Sequence, residues 1–320
     1  MNQARERGRR WCLVLSGGDG QRMRSFTSAW LGEPRPKQYC AFTGTRTMLE
    51  HTLERALDVA AEERVVTVLG AGHRRWTAGL SLRGRLLDQP ANRGTGPGIL
   101  FGLAHILAED PEAVVTVMPS DHFIAPRFVF RERLLQALEL AESLPGHIVL
   151  ATARPDRPEA DYGWVELSDS LPGRSRASSV RRFVEKPPRA EADELCAAGA
   201  VWNTMILCAR AGALLAAAWE NEPEMAGRFQ ALRAFLNTEY DEAIRDDVYD
   251  AQPTVDFSSA VLQSSAGRLV SLALDGMHWC DWGRPARVFH TLRVLGLEPN
   301  FPTEPTAAAW IGAAPKPALA

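Results

Sequence analysis

Three short apolar runs, Leu13–Leu15, Val65–Leu69 and Val114–Met118, alternate along the first half of the chain with helical patterns near residues 47–61, 95–108 and 128–143. Strands separated by stretches long enough to hold a helix read as βαβ units, and such units build a mainly parallel sheet with helices on both faces. The second half changes character. Strand-like segments at Ile148–Ala153, Gly163–Leu167, Ser179–Val184 and Val201–Cys208 come with less helix between them, which predicts a mixed sheet there. A helical stretch over about 210–247, a last strand at Leu269–Leu274 and a helix near 285–295 follow, with no internal repeat.

At 320 residues, 46% hydrophobic and 23% charged, the chain suits one large domain or two closely packed ones. Residues 1–10 are polar and basic and read as a disordered arm; residues 301–320, rich in Pro and Ala, read as a flexible tail. A net charge of -3 with mixed signs gives no broad basic surface for nucleic acid. Five cysteines lack any C-x-x-C spacing and read as buried thiols of a reducing compartment. The first apolar run is too short for a signal core or a membrane span, so a cytoplasmic, membrane-free protein is expected.

The first run leads into Ser16-Gly17-Gly18-Asp19-Gly20-Gln21-Arg22, and Pro36-Lys37-Gln38 follows. Small glycines let backbone N–H groups approach a polyphosphate, and Arg22 and Lys37 supply cations to neutralise charge as a phosphoryl bond changes hands. A Walker A loop would end in Gly-Lys-Ser/Thr, but Gln21 and Arg22 follow Gly20. A dinucleotide fingerprint would place its third glycine where Met23 stands. A nucleoside triphosphate is the expected occupant, although Gly-Gly-Asp-Gly would also serve a tight turn with no ligand.

In open α/β sheets ligands sit outside the carboxyl ends of the strands, where the glycine loop, Ser120-Asp121-His122 and Thr152 are expected. Asp121 closes an apolar strand and is a candidate ligand for Mg²⁺ beside a triphosphate, with Asp281 in Trp279-Cys280-Asp281-Trp282-Gly283 as the second carboxylate. A capping or turn role would explain either residue equally well. Gln89, Gly94 and Thr95 open a helix near the glycine loop, where glycine backbone admits a flat base and Gln89 or Thr95 reads its edge; a plain helix cap fits too. Glu185-Lys186-Pro187 holds a cation at a strand end for the phosphate of a second substrate, or forms a surface ion pair. Trp202-Asn203 and Tyr162-Gly163-Trp164 suit a sugar, or core aromatics with a bulge. The histidines form no metal-ligand spacing, and no nucleophile motif is present, which favours direct displacement.

Taken in order, these segments resemble the sugar-1-phosphate nucleotidylyltransferases, most closely the mannose-1-phosphate guanylyltransferases, over residues 11 to about 295. The family's G-G-x-G-x-R matches Gly17 to Arg22, its P-K-Q matches Pro36 to Gln38, and its R-x-T-x-P-x-I stretch is similar to Arg93 to Ile99. Its P-S-D-H is Pro119 to His122, and Y-G-x-I/V-E is Tyr162 to Glu166. F-x-E-K-P is Phe183 to Pro187, W-N is Trp202-Asn203, and D-x-G is Asp281 to Gly283. The resemblance implies an α/β fold, a Rossmann-like three-layer sandwich with a mixed, mainly parallel central sheet. Residues 11–300 form the nucleotidyltransferase domain, with a nucleotide-binding half to about 150 and a sugar-phosphate-binding half from about 151.

It further implies that the α-phosphate of GTP is attacked by mannose 1-phosphate with Mg²⁺, giving GDP-mannose and pyrophosphate. Arg22, Lys37 and Asp121 are then catalytic; Ser16, Gly17, Gly18, Gly20, Gln89, Gly94, Thr95 and Ser120 bind nucleotide; Gly163, Glu185, Lys186 and Asn203 bind the sugar phosphate; and Asp121 and Asp281 hold the metal. Three departures stand out. Met23-Arg24-Ser25-Phe26 continues the loop differently from many relatives, Thr204-Met205 replaces the usual Ser-Gly, and no fused isomerase domain is expected. Another hexose 1-phosphate, another nucleoside triphosphate, or a regulatory paralogue that binds without turnover are the other readings. Exposed Trp and Met residues in the second half are compatible with a homodimer.

Overall fold

The structure, a computed structural model, describes residues 9–302. Its chain begins with β1 (Arg10–Ser16), α1 (Arg24–Leu31) and α2 (Met48–Leu57). Then come β2 (Val65–Leu69), β3 (Arg85–Asp88), α3 (Thr95–Glu109), β4 (Val114–Pro119), β5 (Phe123–Ala125), α4 (Arg127–Ser143) and β6 (Ile148–Ala153). The second half supplies β7 (Trp164–Ser170), β8 (Ala177–Val184), α5 (Arg189–Ala197), β9 (Val201–Arg210), α6 (Ala211–Asn221), α7 (Pro223–Arg233) and α8 (Asp241–Ala251). β10 (Leu269–Ala273), β11 (His278–Cys280) and α9 (Pro285–Leu295) complete it.

Nine strands form one sheet in the order β3-β2-β1-β4-β9-β6-β10-β8-β7. Seven run in one direction; β9 and β8 run against them, because β9 pairs antiparallel with β4 and β6 and β8 pairs antiparallel with β10 and β7. The expected mixed, mainly parallel sheet is therefore present. β5 and β11 form a separate antiparallel pair.

Alternate residues of each central strand feed cores on opposite faces. Trp11 and Leu13 of β1 join Val115 and Val117 of β4 against α3, α6, α7 and α8. Cys12 and Val14 join Val114 and Met118 against α2, α4 and α5. Sequence runs apolar at every position are what a sheet covered on both faces requires. A third core, with Met23, Phe26, Phe42, Trp282, Val288 and Phe301, ties α1 to α9 and to the segment after β11. α2 starts where it does because Thr47 and Glu50 form a reciprocal capping box.

Several expectations are corrected. Arg10 belongs to β1, not to a disordered arm: its guanidinium makes a two-pronged pair with Glu142, at 2.7 and 2.9 Å. Phe301 is packed among Phe26, Trp30 and Phe42 and does not start a loose tail. The rest of the expected arm and tail, residues 1–8 and 303–320, lies outside the described residues. The single helical stretch over 210–247 is three helices, divided first at Pro223, which opens α7 because it lacks the N–H that a continuing helix needs. Thr152 lies inside β6, bonded at 2.7 Å to the Ser271 hydroxyl, and takes no part in the strand-end cleft. Of the cysteines, Cys12, Cys40, Cys208 and Cys280 are buried but Cys196 is half-buried. Among the described residues no helix is long and apolar enough to cross a membrane.

α3 crosses β1 closely because Gly102 has no side chain there. A Cβ at that position would overlap Leu13 Cδ1 and stand 3.1 Å from its Cγ, and Leu13 is fully buried and cannot swing away. Gly102→Ala should therefore destabilise the fold by about 1–3 kcal/mol through overpacking, despite alanine's better helix propensity. A urea melt in which this variant matches or exceeds the parent would show that the contact yields freely.

Candidate active site

From β1 the chain moves outward to β2 and β3, then returns to β4 on the other side of β1. The loops after β1 and β4 consequently diverge, and their parting opens a crevice at the strand ends. The glycine loop lines it from one side and Ser120–Asp121 from the other. The loop is tied down from behind. The Gln38 amide donates to the carbonyls of Gly18 (2.7 Å) and Ser16 (3.3 Å), and the Tyr39 hydroxyl donates to Ser16 O at 3.2 Å. Gly20 takes φ 63°, the left-handed region that glycine tolerates.

A cavity of about 180 Å³ in this crevice is lined by Gly17, Gly18, Gln89, Gly94, Thr95, Ser120 and Asp121, together with Gln38, Asn92 and Met205. A Cβ on Gly17 would come within 2.5 Å of Gln89 Nε2, so glycine is needed for this close approach. Two candidate base readers are already engaged. Gln89 donates to Leu69 O (3.2 Å) and accepts from the Tyr249 hydroxyl (3.1 Å); Thr95 Oγ1 accepts from Phe257 N (2.8 Å) and donates to Asp256 (3.3 Å). Ser16 and Gly20 do not line the cavity, and the Ser16 hydroxyl faces Tyr39 at 3.2 Å.

At the mouth of the crevice Lys37 is buried. Its ammonium donates to the carbonyl oxygen of Asp281 and stands 3.1 Å from Asp121 Oδ2. Asp281 is also buried. Its Oδ1 accepts from the Tyr162 hydroxyl (2.8 Å), Gly283 N (2.9 Å) and Arg287 Nη1 (2.8 Å), while Oδ2 meets Arg287 at 3.0 Å and Arg22 at 3.4 Å. Burial alone would raise its carboxyl, but Lys37, Arg287 and the Gly283 N–H hold it well below the usual carboxylate range. Arg287 and Arg284 also grip Asp161, whose carboxyl lies below its ordinary value through the Arg284 hydrogen bond despite partial burial. Half-exposed Arg22 leans on the same Asp161 at 3.2 Å. Beside Asp121, burial pushes His122 down to about 4, so its ring is neutral at neutral pH; the Trp279 indole donates to Nδ1 at 3.3 Å, which leaves the proton on Nε2.

β9 enters between β4 and β6 against their direction, so its start lies beside their ends. That brings Asn203 to the crevice, its N–H donating to Gly163 O at 2.8 Å. β8 ends at Val184 opposite Trp164, which delivers Glu185 and Lys186 next to Gly163. A Cβ on Gly163 would stand 2.5 Å from Glu185 Oε2, a buried oxygen with no hydrogen-bond partner among the described residues. Burial raises the Glu185 carboxyl while Lys186, 2.7 Å away, pulls it back. Thr204-Met205 forms a bulge: β6 pairs Thr152 with Asn203 but Ala151 with Ile206. Met205 sits there at φ 58°, a conformation suited to glycine, and lines the 180 Å³ cavity.

The sequence-selected Arg22, Lys37, Asp121 and Asp281 thus lie together, as do Gly163, Glu185, Lys186 and Asn203. Sequence reasoning missed Arg287, Asp161 and the aim of Met205. A signal for Arg287 existed. It is a cation in the first turn of α9, where the helix dipole disfavours positive charge, so a buried acid must hold it there.

Comparisons with known proteins show what the chain is similar to. AlgA of Pseudomonas aeruginosa, an alginate biosynthesis protein, is 30% identical over 209 residues, covering 63% of this chain and 42% of that protein. ManC of Salmonella typhimurium, a mannose-1-phosphate guanylyltransferase, is 29% identical over 283 residues, covering 85% of this chain and 57% of that protein. This chain therefore spans about half the length of the curated relatives it matches. A solved structure from Thermus thermophilus, described as a "mannose-1-phosphate geranyltransferase", superposes with a TM-score of 0.75 at 28% identity, covering 88% of this chain and 79% of that one. The family model for nucleotidyl transferases matches residues 12–293, and the chain belongs to that family.

Proposed function

We propose that this chain transfers GMP from GTP to mannose 1-phosphate, giving GDP-mannose and pyrophosphate. The observation that carries the reading is the buried Lys37 ammonium, set between the Asp281 carbonyl and the carboxylate of Asp121, which itself lines a glycine-rich crevice. The names of relatives such as ManC support the choice of nucleotide and sugar. In this reading the half before about residue 150 takes the nucleotide and the half after it takes the sugar phosphate.

A phosphate oxygen of the hexose 1-phosphate bonds to the α-phosphorus while the bond from that phosphorus to the pyrophosphate oxygen breaks, and the electron pair leaves with pyrophosphate. Nothing becomes covalently attached to the protein. Lys37 supplies positive charge at the α-phosphate, and being buried it supplies it in a medium that screens little. Arg22, half exposed and resting on Asp161, is placed to neutralise the leaving pyrophosphate. Lys186 holds the sugar phosphate, and the unpartnered oxygen of Glu185 with the Asn203 amide receives hexose hydroxyls.

The donor set fits Mg²⁺. Among the described residues no group of three or more His, Cys, Asp or Glu could hold a metal, so the remaining ligands would be substrate phosphates and water, which is how this ion is usually held. Asp121 would be its main protein ligand, because Asp281 Oδ1 already takes three donors and Oδ2 takes Arg287 and Arg22. Held there, the ion would supply positive charge to the substrate phosphates. Arg287 holds the Asp281 side chain, and through it the loop whose carbonyl receives Lys37.

Three outcomes are expected. Pyrophosphate release with Mg²⁺, crossing GTP, ATP, UTP, CTP and dTTP with mannose 1-phosphate and glucose 1-phosphate, should be fastest for GTP with mannose 1-phosphate, and Lys37→Ala should slow it by roughly 10²- to 10³-fold. Another preferred pair would move the substrate assignment, and no release with any pair despite nucleotide-sugar binding would make this a binding protein. Arg287→Ala should lower the unfolding free energy in urea by about 3 kcal/mol, since it leaves a buried carboxylate short of its main partner. A loss inside the error of the melt would mean that Tyr162 and Gly283 hold Asp281 without it.

A further inference from the structure

Behind the two catalytic-loop aspartates lies a second cavity, of about 460 Å³, that the transfer reading does not use. Its walls are apolar: Phe42, Met48, Ile124, Leu295 and the stacked pair Phe123 and Trp282, whose rings lie 4.6 Å apart. One wall is cationic. Arg55 of α2 lines the cavity and is only 5% exposed, and among the described residues no carboxylate lies within ion-pair distance of it. Its Nη2 donates to Thr52 Oγ1 (2.6 Å) and to the His122 carbonyl (3.2 Å), and its buried Nε has no partner among the described residues. Of the other charged lining residues, Glu54 is shared between Arg46 and Arg127, and Arg127 also pairs with Asp58. The lining is left with an excess of positive charge.

Asp58 acts on Arg55 from a distance but is paired with Arg127; a buried guanidinium with no carboxylate in contact is costly, and an anion that pairs with it recovers that cost. The size and apolar walls suit a compact small molecule. We propose that this cavity is a binding site for a small anionic amphiphile, with an apolar ring system against Phe123, Trp282 and Ile124 and one carboxylate, sulfonate or phosphate on Arg55. The site touches the centre through backbone. Arg55 donates to the His122 carbonyl, and Thr52 shares its hydroxyl proton between Met48 O (3.0 Å) and the Ser120 carbonyl (3.4 Å), so α2 touches the chain on both sides of Asp121. An anion on Arg55 competes for that contact.

The probe is 1-anilinonaphthalene-8-sulfonate, read by its fluorescence on the full chain, with N-phenyl-1-naphthylamine as the same ring system without the anion. The sulfonate should bind at one saturable site, persist in saturating GTP, and weaken at least about tenfold in Arg55→Met, while the neutral analogue binds parent and variant alike. Should Arg55→Met fail to fold, Thr43→Trp, also on the cavity lining, should abolish sulfonate binding by filling the space. Equal sulfonate affinity in Arg55→Met, displacement by GTP, or undiminished binding to Thr43→Trp would each overturn the proposal. No turnover is measured, so the result stands apart from the transfer reading.

Discussion

The contact on which the site depends is the one made by the Lys37 ammonium. An ammonium withdrawn from water costs several kcal/mol, and it can stay buried only if oxygen acceptors surround it. Here they come from two distant places, the Asp121 carboxylate after β4 and the Asp281 carbonyl after β11, while Lys37 itself follows the glycine loop. One buried charge therefore fixes three segments that share no local sequence. The third hydrophobic core completes the arrangement by packing Trp282, the residue after Asp281, against Phe42, so that apolar packing positions what the charge then locks.

Around that point the charges form a chain. Asp281 is shared by Arg287 and Arg22, and Asp161 by Arg287, Arg284 and Arg22. Arg287 is the buried member and Arg22 the half-exposed one, so in the proposed reaction the first holds the loop and the second meets a phosphate. Backbone strain gathers in the same place. Of the four non-glycine residues with positive φ among those described, Lys186, Met205 and Trp282 border this site, and Asn237 is the exception. Residues held in that region persist only where the surroundings enforce them, and at a site the strain fixes side-chain aim.

Much of the frame could be read from local patterns. Val65–Leu69 and Ile148–Ala153 are strands with the expected bounds, because a run of apolar residues between turn signals leaves little else to form. The glycine loop and Asp121 were legible because each follows a strand that ends on the same side of the sheet, and Lys37 because Pro36-Lys37-Gln38 stands in its own loop shortly after. Arg287 was not, since its meaning lies in Asp281 and Asp161, which only the folded chain brings near. Gln89 and Thr95 were placed correctly beside the loop, but their polar atoms serve Tyr249, Leu69, Phe257 and Asp256, partners invisible to a local reading. The Thr204-Met205 departure was visible as letters; that Met205 would take the left-handed backbone and line the crevice cavity required the bulge between β6 and β9.

The central claim, that Lys37 and Asp121 act as one unit at the transferring phosphate, is tested most directly by a double-mutant cycle on kcat/KM. It uses Lys37→Gln, Asp121→Asn and the double variant. If the two residues work through each other, the double variant should be about as slow as the slower single one, a strong departure from additivity. Losses that multiply cleanly would contradict the account and make the 3.1 Å contact incidental to catalysis.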